Sequence, residues 1–78
     1  MTTPNKIATA FLTNQFYTFQ RKKTGYRVDY TIDNSAGTLG WSLRQRSNGT
    51  GYKTIYRETN VPSMKALLAT ITEHVNSI

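Results

Sequence analysis

The middle of the chain alternates in a period of two. Tyr26, Val28, Tyr30 and Ile32 are separated by Arg27, Asp29, Thr31 and Asp33, the pattern of a strand with one covered face. Leu39, Trp41 and Leu43 repeat it against Gly40, Ser42 and Arg44, with Arg46 continuing the polar side. Phe16 to Thr24 supplies an earlier strand, turning at Lys23-Thr24-Gly25, and Tyr52 to Thr59 a later one. In that last strand Tyr52, Thr54 and Tyr56 oppose Lys53, Ile55 and Arg57, which calls for a bulge or a tyrosine-bearing outer face. Asn34-Ser35-Ala36-Gly37 has turn chemistry. Asn48-Gly49-Thr50-Gly51 is followed by a strand and not a helix, so it reads as a hairpin turn and not as a phosphate-cradling loop.

The periodicity changes at the C-terminus. Met64, Leu67, Leu68, Ile71, Val75 and Ile78 fall on one face of a helix, and Lys65, Thr72, Glu73 and Asn76 take the other. Pro62 and Ser63 are start signals, with Ser63 as a cap or Pro62 in the first turn. Near the N-terminus, Pro4, Ile7, Ala8, Phe11 and Leu12 fit a short helix capped by Thr3, or an extended arm. The expected fold is therefore α+β: an antiparallel meander of three to four strands (16–59) packed on a C-terminal helix (63–78), with residues 1–14 as an arm or short helix. One domain accounts for all 78 residues.

Charge sharpens the picture. Of the formal +6, nearly all lies between Gln20 and Glu58, where eight lysines and arginines meet three carboxylates. If Val28, Ile32, Leu39, Trp41 and Leu43 face the helix, Arg27, Arg44 and Arg46 face away from it. A basic face of this kind suits a polyanion or an acidic protein. The same side chains also keep a small sheet protein soluble and unaggregated.

Catalytic chemistry is poorly supplied. There are four carboxylates, one histidine and no cysteine, so neither a thiolate site nor a histidine-based metal site is expected, and no cofactor. Asp29 and Asp33 share a strand face but lie roughly 13 Å apart, too far for paired-carboxylate work and suited to balancing arginines. His74 falls at the exposed flank of the last helix, where a solvated histidine is expected. The chain does not read as an enzyme. No segment resembles a signal peptide or a membrane span, and the lack of cysteine fits a cytoplasmic setting.

Binding is the remaining reading. Arg21, Lys22, Lys23, Arg27, Arg44, Arg46, Lys53 and Arg57 are the candidate phosphate or partner contacts, and Tyr17, Phe19, Tyr52 and Tyr56 the candidate stacking residues. The order of a sheet followed by a long helix resembles that of single-strand-binding cofactors. With a first helix added, the order is similar to that of double-stranded-RNA-binding domains. That family begins its last helix with a lysine cluster, whereas Ser63-Met64-Lys65-Ala66 has one lysine, so its contact does not carry over. The ending Val61-Pro62-Ser63-Met64-Lys65-Ala66-Leu67-Leu68 resembles small accessory proteins of bacteriophages and plasmids. The expectation is a largely sequence-nonspecific binder of nucleic acid, single-stranded or duplex. The alternative is an accessory inhibitor, of the anti-CRISPR or anti-restriction class, docking on an acidic host protein or nucleoprotein. A homodimer built through a sheet edge is compatible with both.

Overall fold

The two helices begin at the capping residues that the sequence offers. The computed structural model describes residues 2–47, 49 and 51–78. Helix α1 spans Pro4–Asn14, with Pro4 in the first turn and the Thr3 hydroxyl accepting from the Lys6 amide at 3.3 Å. Residues 4–14 are thus a helix and not an arm. Gln15 stops it in the left-handed conformation, its amide donating to the Phe11 carbonyl at 3.0 Å. Helix α2 spans Met64–Asn76, and the Ser63 hydroxyl accepts from the Ala66 amide at 3.2 Å. Of the two proposed start signals Ser63 is the cap, and Pro62 stands outside the helix.

Between the helices run β1 (Phe16–Arg21), β2 (Thr24–Asp33), β3 (Thr38–Arg46) and β4 (Tyr52–Val61). They form one antiparallel sheet in chain order, so β1 and β4 are its edges. The first turn lies one residue earlier than its glycine suggested. Lys22 and Lys23 both take positive φ, 49° and 68°, while Thr24 and Gly25 already pair with Arg21 and Gln20. A two-residue turn with positive φ at both positions matches the right-handed twist of its strands, and the hairpin accepts two strained lysines to obtain that match. In the second turn Asp33 Oδ1 accepts from the Ser35 hydroxyl at 2.8 Å and from the Ser35 and Ala36 amides at 3.1 Å each. The third is closed by the Ser47 amide and hydroxyl donating to the Gly51 carbonyl at 3.0 and 3.1 Å. Asn48 and Thr50 of the expected Gly-rich turn lie outside the described residues.

Both helices cover the same face of the sheet. Ile7 and Phe11 of α1 and Leu67, Ile71 and Val75 of α2 meet Val28, Trp41, Leu43 and Val61, all buried. Tyr17, Phe19, Tyr26, Tyr30 and Leu39 pack around them. Ile32 keeps the alternation of β2, yet it extends past the helices and is 59% exposed. His74 departs from expectation. Its ring is half-buried against Tyr56 and Trp41, with centroids 4.4 and 5.4 Å away, so it joins α2 to the sheet. The chain ends are also tied in. Thr2 and Asn76 exchange two hydrogen bonds at 3.1 and 2.9 Å, and the Thr2 hydroxyl lies 3.0 Å from the Tyr17 hydroxyl.

Two bulges in β4 resolve its ambiguous parity. Leu43 pairs with Tyr56 but Arg44 pairs with Thr54, leaving Ile55 as an extra residue. Further on, Trp41 pairs with Glu58 and Leu39 with Val61, so Thr59 and Asn60 together oppose Gly40. Asn60 takes φ 62° there. A Cβ on Gly40 would sit 2.9 Å from the Glu58 carbonyl oxygen and 3.0 Å from the Thr31 hydroxyl, so only glycine allows this close strand approach. Among the described residues no helix is long and apolar enough to cross a membrane.

Candidate nucleic-acid interface

Because the helices occupy one face, the residues alternating with the core stand on the other. Strand register arranges them in cross-strand rows. Thr18, Arg27, Arg44 and Thr54 make one row, and Phe16, Asp29, Ser42 and Arg57 the next. Arg46 and Tyr52 pair in a third. Arg46 lies beside Gly25, where a Cβ would be 3.6 Å from its own Cβ, so the missing side chain leaves room for the arginine stem. Four arginines are thereby gathered on the face that no helix covers. The bulge at Ile55 is essential to this, since without the extra residue Arg57 would fall out of step with Arg44 and Arg46.

Asp29 organises the centre of the face. Its carboxylate accepts from Arg27 Nε at 3.1 and 3.2 Å and faces Arg27 Nη2 at 3.0 Å. Arg44 Nε lies 3.8 Å from Asp29 Oδ2, close enough for charge attraction and too far for a hydrogen bond. That nitrogen is buried and has no hydrogen-bond partner among the described residues. The rest of the side chain reaches solvent, with 41% of it exposed. The Arg27 guanidinium also covers the Phe16 ring, 4.0 Å from its centroid. A planar cation held between a carboxylate and an aromatic ring is pre-oriented, so it loses little freedom on meeting a ligand. Arg46 and Arg57 form no ion pair among the described residues.

A recess opens beside this row. It is lined by Asp29, Thr31, Ser42, Arg44, Arg57 and Thr59, together with Tyr30, Trp41 and Glu58. Hydroxyl residues, two acidic residues and two arginines line it, so it offers donors and acceptors together. Among the described residues no cluster of three histidine, aspartate or glutamate side chains could hold a metal ion.

The sequence candidates divide. Arg27, Arg44, Arg46, Arg57 and Tyr52 come together on the uncovered face. Lys22 and Lys23 stand at its rim, exposed in the first turn. Arg21 lies on the helix side at the β1 edge, its guanidinium 5.0 Å from the Phe19 centroid and beside Thr2, Lys6, Tyr17 and Asn76. Lys53 pairs with Gln45 and so also faces the helix side. The structure separates the aromatic candidates more sharply. Tyr17 and Phe19 pack against the core, stacked 5.8 Å apart, and Phe19 stacks on Tyr26 at 5.0 Å. Tyr56 lies against Trp41 and His74. Only Tyr52 shares the arginine face, where it is 38% exposed. Phe16 joins it there and was not among the sequence candidates, although its parity with Thr18 and Gln20 points outward. Asp33 caps a turn and does not balance an arginine, whereas Asp29 does. The chain matches no protein-family model, and comparison with curated proteins and with solved structures gives no significant match.

Proposed function

We propose that the chain binds nucleic acid through the helix-free face of its sheet, largely without regard to sequence. The observation that carries this reading is the gathering of Arg27, Arg44, Arg46 and Arg57 on that face, flanked by Phe16 and Tyr52. Arginine forks suit phosphate oxygens, and their contacts carry no sequence information. The exposed Tyr52 ring at one corner stacks on a base only where that base is unpaired, which favours a single strand over a duplex.

Magnitudes follow from counterion release. Four phosphate contacts on a single strand give a log–log salt slope of about −3, which weakens binding about 50-fold between roughly 50 and 200 mM salt. The test compares two variants of equal net charge. Arg44→Glu/Arg46→Glu reverses two charges on the proposed face, and Lys6→Glu/Lys65→Glu reverses two on the helices, where both lysines are exposed. The first variant is expected to lose binding to a labelled random single strand and the second to keep most of it. Equal losses would mean that net charge and not this face sets the affinity.

One observation favours a second reading. Leu12 and Ile32 are 89% and 59% exposed, and large apolar side chains suit a protein partner better than a phosphate backbone. An acidic host protein, the target expected of an accessory inhibitor, would meet the same arginines. A salt-sensitive complex that survives nuclease treatment would favour that reading.

A further inference from the structure

Strand β4 is ten residues long, and among the described residues its outer edge pairs with nothing. An open edge is a template for a further strand. Bulges on edge strands ordinarily discourage such pairing, because they break the run of aligned backbone groups. In β4 the bulge at Ile55 has a second effect. Facing residues in an antiparallel pair must share a sheet face. A two-fold axis falling between adjacent residues would pair odd positions with even ones, and a regular strand would then oppose inner residues to outer ones. The extra residue shifts the alternation by one, so that this register, and not an even one, keeps the faces matched from Tyr52 to Thr59, short of the second bulge.

We propose that two copies of this chain pair through β4, antiparallel about an axis between Ile55 and Tyr56. Tyr52 then faces Thr59 of the second copy and Thr54 faces its Arg57, all on the helix-free side. Lys53 faces Glu58 on the helix side, once in each direction. The two oppositely charged pairs complement each other, and Ile55 and Tyr56, 46% and 39% exposed, are covered at the centre. A register shifted by two residues would set Lys53 against Tyr56 and leave Glu58 without the lysine. The resulting eight-stranded sheet has a continuous outer face on which the arginines of both copies lie. This goes beyond the proposed nucleic-acid contact and stands independently of it, since self-association is measured without nucleic acid.

One strand pair buries less than a standard interface, below about 1,200 Å² in total, so the dimer is expected to be weak and concentration-dependent. Sedimentation velocity of the full chain from about 1 μM to 1 mM is the test, over a span that covers weak interfaces. The parent is expected to pass from monomer to dimer across this range. Lys53→Glu sets glutamates opposite one another, Glu58→Lys sets lysines opposite one another, and each alone is expected to weaken the dimer about tenfold. Mixing the two variants restores both pairs in a heterodimer, which is expected to form as readily as the parent dimer. A monomer throughout the range, or a mixture that associates no better than its components, would overturn the proposal. Glu58 also accepts from Trp41 Nε1 at 3.1 Å, so a second pair of variants guards against misfolding of Glu58→Lys. The chain has no cysteine, and a mixture of Thr54→Cys and Arg57→Cys chains is expected to form a mixed disulfide in preference to either self-disulfide. Preferential self-disulfides would overturn the register.

Discussion

At the scale of single residues, Asp29 is the one acidic side chain at the centre of the arginine face, and its removal has opposite effects on two properties. Asp29→Asn takes a negative charge from within roughly 7 Å of where phosphates would lie, which tightens binding about 3- to 8-fold at effective dielectric constants of about 80 down to about 40. It also releases Arg27 and Arg44 from their carboxylate, so the melting temperature is expected to fall while affinity rises. Unchanged affinity would place the phosphates away from this row. Asp33 acts differently. The Ser35 hydroxyl first, and then the Ala36 amide, hold its carboxyl below the usual carboxylate range. Because the folded value is the lower one, this stabilisation is complete above about pH 4 and is lost as the pH falls through the folded value. Asp33→Ala should therefore melt below the parent at pH 7, and the gap should close on acidification; a gap constant with pH would remove the carboxylate from the turn's energetics. These roles were only partly legible in the sequence. Alternation placed Asp29 among arginines. It gave no sign that Asp33, four residues on, would turn back onto its own loop, because an Asx-type turn depends on local backbone geometry and not on strand parity.

At the scale of elements, hydrophobic period carried most of the information. The apolar stripe of α2 and the alternation in β2 and β3 are strong local signals, and the structure follows them. The N-terminal segment had to be settled by packing, since Ile7 and Phe11 form a helix in order to cover Val28 and its neighbours. The first hairpin turn was misplaced because Gly25 drew it forward, whereas two lysines adopt the positive φ values instead. Lysine at positive φ costs roughly 1 kcal/mol, and Lys22→Asn/Lys23→Gly supplies the residues that this turn type prefers. That double variant is expected to raise the melting temperature by about 4–8 °C, the shift that roughly 1 kcal/mol produces in a domain of this size. If the rim lysines touch phosphates, its salt slope should also become shallower by about 1. A fall in melting temperature would show that the lysines are held in this turn by contacts that outweigh their strain. The bulge at Ile55 was legible only as a conflict of parity. Whether a bulge or an exposed tyrosine face resolves such a conflict depends on what covers each side, and that is fixed by the whole fold. For the same reason Tyr17, Phe19 and Tyr56 could not be told from Tyr52 by sequence, nor His74 from a solvated histidine.

At the scale of the whole molecule, the division of labour between the two sheet faces is the central result. One face gives its side chains to a core shared with both helices, and the other holds four arginines, two aromatic rings and a carboxylate that holds Arg27 and faces Arg44. A thin core needs one entire face of a small sheet, so most of the sheet's arginines stand on the opposite side. The sequence showed that charge and sheet coincide. The register was needed to show which charges are neighbours, since Lys53 and Arg21 turn away while Arg57 joins the others. The most direct measurement is titration of the isotopically labelled protein with a random single-stranded oligonucleotide, followed by backbone amide and arginine side-chain resonances. Shifts confined to the rows around Arg27, Arg44, Arg46 and Arg57, with Phe16 and Tyr52 at their ends, are the expected result. Shifts confined to α1, α2 or the β1 edge, or none at all at about 50 mM salt where phosphate contacts are strong, would contradict it.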